Sequence, residues 1–224
     1  MAARSNQRRR LRDAGGEARR GRVRRGGIAL RTVLALVLLA GLGAAPAAGP
    51  TAQIRGAIDR TLEILKRPDL KSKARAAERR DFLRNEIKPV FDFEEMSRRS
   101  LGPSWRQRTP KEKADFVGLF TELLENAYLG KIESYQGEKI EYAGETVDLP
   151  YAVVKTLIVT TKSQEVQVDY RMIRNGDQWR IYDVVIEGIS LVNNYRSQFG
   201  SILQNSSFDQ LLSKLRSTIK RQQS

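Results

Sequence analysis

The chain has 224 residues and is 40% hydrophobic, enough for one packed domain with a further segment attached. Its net charge of +14 suggests nucleic acid, but residues 1–31 hold eleven arginines against Asp13 and Glu17, which supply +9 and leave +5 for everything after them, so no nucleic-acid partner is expected. It contains no cysteine and no histidine, which excludes disulfide stapling, a lipoprotein anchor at an N-terminal cysteine, and the commonest general base and metal ligand; neither cofactor nor metal is expected.

After the arginines comes an uncharged run of Val, Leu, Ala and Gly over 33–42, then Ala-Ala-Pro-Ala-Ala over 44–48. A basic start, a short apolar stretch and small residues at alternate positions form a secretory signal peptide. Ala45 and Ala47 are the expected recognition pair, so 1–47 is the leader and 48–224 the mature domain. An uncleaved inner-membrane anchor is the alternative, since about 17 largely apolar residues stand at the low edge of spanning length.

Ile54, Ile58, Leu62 and Leu65 fall three or four apart and predict a helix over 51–65, stopped by Pro68. A charged helix is expected over 71–88, with Phe82, Leu83 and Ile87 inward, then short helices over 94–100 and 104–108. Thr109 followed by Pro110 and Glu112 reads as an N-cap, first helical residue and N3 acid, opening a long helix to about 134. Phe116, Phe120, Leu124 and Tyr128 lie on its wide apolar stripe. From Gly137 the residues alternate and become β-branched, predicting strands over 139–147, 151–161, 165–174 and 178–186, with two-residue turns at Lys162-Ser163 and Asn175-Gly176. Counting from those turns pairs Leu157 with Val168, Met172 with Trp179 and Tyr170 with Ile181. One face then carries Val153, Leu157, Val159, Val166, Val168, Tyr170, Met172, Trp179, Ile181 and Val185. Helices over 188–204 and 208–219 close the chain. Helices, then an antiparallel sheet, then helices make an α+β domain with helices gathered on one sheet face.

The segment 179–199, reading WRIYDVVIEGISLVNNYRSQF, runs from strand through Gly188 into helix and closely resembles the C-terminal motif of the MlaC or toluene-tolerance family of bacterial periplasmic phospholipid carriers. Phe91-Asp92-Phe93-Glu94-Glu95-Met96, Leu101-Gly102-Pro103-Ser104-Trp105 and the stripe from Phe116 to Tyr128 resemble the family's helical half. The resemblance covers about 51 to the C-terminus. It implies a curved, cone-like sheet of the nuclear-transport-factor kind enclosing an apolar pocket, a phospholipid ligand, and no covalent reaction. It also implies two partners, an inner-membrane lipid-transport ABC complex and an outer-membrane lipoprotein-porin complex. Candidate lining residues are Phe91, Met96, Trp105, Phe116, Phe120, Leu124, Tyr128, Val153, Leu157, Val168, Tyr170, Met172 and Ile181.

Enzymatic signals are poor: Gly102-Pro103-Ser104-Trp105-Arg106 lacks the closing glycine of a nucleophile elbow, and neither a phosphate-binding glycine loop nor a metal-ligand cluster occurs. Asp92, Glu94 and Glu95 read as helix-start charges. Asp183, placed opposite Val168 among apolar neighbours, needs backbone donors or a basic partner such as Lys155. Two alternatives stay open: a cone-fold enzyme on a hydrophobic substrate, using Asp183 or Tyr170 as acid/base, and a carrier of another lipid such as a hopanoid.

Overall fold

The computed structural model describes residues 48–223; the expected leader and its cleavage site after Ala47 lie outside them. Helix α1 (Pro50–Lys66) opens on a proline at its first position and ends before Pro68, whose ring fits the short 3₁₀ turn that follows. The charged segment after it is helical over a shorter stretch than expected, α2 (Ala76–Ile87), preceded by a 3₁₀ turn over Lys73–Arg75. Asp92 accepts from the Glu95 N–H at 2.9 Å and so caps α3 (Phe93–Leu101). Thr109 and Glu112 form the reciprocal capping box that starts α4 (Pro110–Glu133).

Five antiparallel strands follow in the order β1 (Lys139–Asp148), β2 (Tyr151–Val159), β3 (Glu165–Asn175), β4 (Gln178–Ile186) and β5 (Ile189–Ser190). Bulges near Ala143 and Tyr182 each insert a residue and bend the sheet. Helices α5 (Leu191–Asn205) and α6 (Phe208–Gln223) complete the α+β fold. No helix among the described residues is long and apolar enough to cross a membrane.

The connections between strands correct the expected register. Between β2 and β3 the loop has three residues, not two: the Thr160 N–H bonds the Gln164 carbonyl at 2.8 Å, and Ser163 takes φ 58°. A three-residue loop ending in a left-handed residue moves the pairing by one, and a slip of one turns every side chain to the other face. Leu157 therefore pairs with Gln167, while Thr156 meets Val168, Val154 meets Tyr170 and Ala152 meets Met172. Val153, Leu157 and Val159 lie on the face opposite Val168, Tyr170 and Met172. Between β3 and β4 the turn is Gly176-Asp177, with positive φ at Gly176 alone as a type II′ turn requires, so Met172 meets Ile181 instead of Trp179. The Tyr182 bulge then brings Val184 opposite Tyr170 and Asp183 opposite Arg171.

The expected start of the penultimate helix at 188 is also displaced. Glu187 and Gly188, at φ 49° and 77°, form a tight turn that folds Ile189 and Ser190 back on β4. Ser190 then caps α5 by accepting from the Asn193 N–H.

Apolar burial divides into two clusters. Met96, Trp105, Phe116, Phe120 and Leu124 pack with Val192, Phe199 and the α6 leucines in a helical core. Ala152, Val154, Val168, Met172, Trp179, Ile181 and Val184 pack against Ile54 of α1 and Val90 in a sheet core. Phe91 touches both, because the chain there lies against β4: residue 91 bridges Ile181, and the Asp92 N–H bonds the Ile181 carbonyl at 2.8 Å.

Candidate functional site

The thirteen residues expected to line a pocket do not form one surface. Met96, Trp105, Phe116, Phe120 and Leu124 are buried in the helical core, with Tyr128 packed half-buried against it. Rings of Phe116, Phe120 and Phe199 meet at centroid separations of 5.4 to 5.7 Å, a packed arrangement. Val168, Met172 and Ile181 are buried in the sheet core, where Tyr170 is half-buried. Val153 and Leu157 are half-buried on the other sheet face, and Phe91 joins the two cores.

Asp183, 3% exposed, is a structural anchor. It accepts from Ser190 Oγ at 2.7 Å, from the Val192 N–H at 3.0 Å and from Arg171 at 3.3 Å, so one carboxylate caps α5 and pairs across the β3–β4 ladder. The backbone-and-basic-partner reading holds, with Arg171 in place of Lys155, because the Tyr182 bulge sets residue 183 opposite 171. Tyr170, the other acid/base candidate, has its pKa pushed up to about 12 by burial, opposed by a hydrogen bond with Thr156, so the phenol stays protonated at neutral pH.

The same anchor sits beside a polar cleft of about 460 Å³ between the end of α3, the Gly102–Gln107 turn, the β3–β4 ladder and the start of α5. Arg98, Arg99, Arg106, Arg171 and Arg196 line it, and Trp105 and Val192, both buried members of the helical core, also face it. Gly102 takes φ 56°, and a Cβ there would lie 3.1 Å from Arg196 Nε, so glycine both permits the turn and admits the guanidinium. Glu95 receives Arg98 at 2.5 Å and Arg99 at 2.7 Å. Burial raises its pKa, but those two guanidinium hydrogen bonds outweigh burial and hold it below the ordinary 4.5. Arg99 also lies 4.1 Å above the Tyr182 ring, whose hydroxyl pKa is raised by burial against the pull of Arg99. A second cavity, about 480 Å³, has Phe91, Phe93, Lys88 and Arg180 in its wall.

Between Arg55 and Arg108 the chain carries fifteen basic residues against nine acidic, but where the cleft's arginines converge cannot be read from the sequence. Arg106, Arg171 and Arg196 belong to a turn, a strand and a helix far apart in the chain, and only the tertiary arrangement brings them together.

A family model described as MlaC protein matches residues 55–217, most of the chain and both apolar cores. The chain belongs to the MlaC family. It is 23% identical over 141 residues to the intermembrane phospholipid transport system binding protein MlaC of Haemophilus influenzae, a match spanning 61% of this chain and 66% of that relative, just under two thirds of its length. The fold is similar to that of a phospholipid-binding protein from Ralstonia solanacearum solved in complex with a phospholipid. That comparison gives a TM-score of 0.70 at 24% identity and covers 79% of this chain and 100% of the other; at this identity what the two share is the MlaC fold.

Proposed function

We propose that this protein is a periplasmic phospholipid carrier. In this reading it is exported by cleavage after Ala47 and moves lipid between an inner-membrane ABC lipid-transport complex and an outer-membrane lipoprotein-porin complex. The observation that carries the reading is the MlaC family match across both the helical and the sheet cores. The relative from Haemophilus is named for intermembrane phospholipid transport, and the similarly folded Ralstonia protein was solved with a phospholipid, which support it further.

The physical task is to replace the membrane environment of the acyl chains. Each methylene moved out of water is worth about 0.8 kcal/mol, so a diacyl lipid crosses an aqueous compartment only if the protein covers nearly all of its chains. A cavity about as apolar as the bilayer makes loading and release nearly balanced, and the step needs no covalent chemistry. Of the candidate lining residues, the half-buried Phe91, Tyr128, Val153, Leu157 and Tyr170 are those with surface left for a ligand, whereas Phe116 and Phe120, both 0% exposed, act as packed support. Against the enzyme reading, Asp183 is engaged by three donors and Tyr170 remains a neutral phenol, which leaves neither poised as a base.

Native mass spectrometry of the protein purified from the periplasm without detergent tests both parts. The expected result is a polypeptide beginning at Ala48 with one diacyl phospholipid bound. A hopanoid in its place, a small metabolite turned over by the protein, or a chain retaining 1–47 in the membrane fraction overturns the corresponding part of the reading.

A further inference from the structure

The arginine-lined cleft carries more positive charge than its neighbours neutralise. Arg98 and Arg99 share Glu95, and Arg171 shares Asp183 with Ser190 and the start of α5. Arg106 and Arg196 have no acidic partner among the described residues, so five guanidinium groups against two carboxylates leave the cleft at a net +3. Such a concentration of like charge in a concavity whose wall also holds the buried Trp105 and Val192 focuses a positive potential and is costly unless an anion joins it. Guanidinium groups match phosphate oxygens in planar, paired hydrogen bonds better than any other side chain does.

The chemistry also distinguishes between head groups. A zwitterionic head brings an ammonium next to its phosphate, and that ammonium needs a free anionic acceptor. Both carboxylates at the cleft are already engaged, and the remaining field repels a cation. A head group that ends in hydroxyls adds no cation, and it offers groups that can bond Asn193 at the cleft wall. Trp105 and Val192, buried at 9% and 4% exposure, connect the cleft to the helical core, so a phosphate seated here stands at the edge of the apolar interior.

Resting on the carrier reading, we infer that this cleft receives the head-group phosphate of the cargo and selects anionic phospholipid over zwitterionic phospholipid. The selection is electrostatic and comes chiefly from Arg106 and Arg196.

The mature protein is stripped of lipid and reloaded from vesicles of equimolar phosphatidylglycerol and phosphatidylethanolamine, and the bound lipids are extracted and weighed by class and in total. Wild type is expected to take phosphatidylglycerol in about tenfold excess, equivalent to about 1.4 kcal/mol, and to lose much of that preference in high salt. Arg106→Gln with Arg196→Gln is expected to lose phosphatidylglycerol loading selectively, which brings the ratio of the two lipids to within about twofold of equality. The control Lys214→Gln with Arg216→Gln removes the same charge from α6, which contributes nothing to the cleft lining, and is expected to keep the wild-type ratio.

Equal loading of the two lipids by wild type overturns the inference while leaving the carrier intact, and that measurement needs no variant to fold. An unchanged ratio in the cleft variant, or an equal loss in the α6 control, also overturns it. Binding of inorganic phosphate seen by phosphorus NMR together with an equal lipid ratio assigns the cleft to a free anion and overturns the head-group assignment. Failure of wild type to load either lipid removes the carrier reading itself.

Discussion

Asp183 shows how much a single side chain holds in place. Its two oxygens receive a hydroxyl, a backbone N–H and a guanidinium, and those three donors come from the β5 end, the first turn of α5 and the neighbouring strand β3. Asp183→Ala removes the acceptor from a buried N–H and hydroxyl and frees Arg171, which at 41% side-chain exposure can turn to water and recover part of its loss. The expected cost is about 2–4 kcal/mol, from the orphaned donors and the lost helix-start charge together. Thermal or urea unfolding measures it. An unfolding free energy within about 0.5 kcal/mol of wild type, inside the range of an ordinary surface change, shows that the anchor is dispensable and reopens a chemical role for the carboxylate.

The elements were legible in the sequence wherever the signal was local. The capping box at Thr109, the Pro110 start, the acidic helix start at Asp92, Glu94 and Glu95 and four strands within a few residues of their ends all follow from side-chain chemistry or alternation that neighbouring residues carry. The register was not, because it depends on single loop and bulge residues: Ser163 at φ 58° makes a three-residue connection that nothing in Lys162-Ser163 announces, the next turn falls on Gly176-Asp177, Tyr182 bulges, and Glu187 at φ 49° builds a turn from a residue that rarely adopts that conformation. The arginine cleft was illegible for a different reason, since it is assembled from α3, a 3₁₀ turn, β3 and α5. The observed register predicts unequal responses on the two sheet faces. Met172, at 0% exposure, sits in the sheet core, and Met172→Ala should cost about 2–5 kcal/mol. Leu157 is half-buried on the other face, opposite Gln167, and Leu157→Trp should change stability by less than about 1 kcal/mol, because its added bulk extends toward solvent instead of overpacking a core. Chemical denaturation of both variants checks this, and a larger loss from Leu157→Trp than from Met172→Ala contradicts the pairing.

Across the whole molecule, α2 is attached differently from the rest. Leu83 is its one buried residue; the helix packs mainly against α1, where Arg60 pairs with Glu86, and is tied to α4 by charge: Arg79 and Arg80 both reach Glu133 at 2.8 Å, while Arg84 reaches Glu125 at 3.4 Å. Arg79 also donates to the Leu70 carbonyl at 3.0 Å, so the same cluster holds the chain between α1 and α2. Burial of Glu133 raises its pKa, but the hydrogen bonds from Arg80 and Arg79 more than offset this and leave it below the ordinary 4.5. A carboxylate whose folded pKa is depressed contributes stability that is present above the unfolded value and lost as pH falls through the folded one. The chain has no histidine, so no side chain with an ordinary pKa near neutrality adds a second transition there. Hydrogen exchange in Ala76–Ile87, corrected for the intrinsic pH dependence, should therefore stay level from about pH 8 to pH 5 and rise below about pH 4.5, ahead of the α4 and sheet cores. Glu133→Gln should reproduce that rise at neutral pH and lower Tm by about 2–4 °C, the equivalent of about 1 kcal/mol in a chain of this size, with little further change on acidification. The variant and the acid titration act on one ion cluster, so their effects should not add. If exchange in α2 instead tracks global unfolding at every pH, then Leu83 and its apolar contacts hold the helix, and the guanidinium pairs on Glu133 contribute only at the surface.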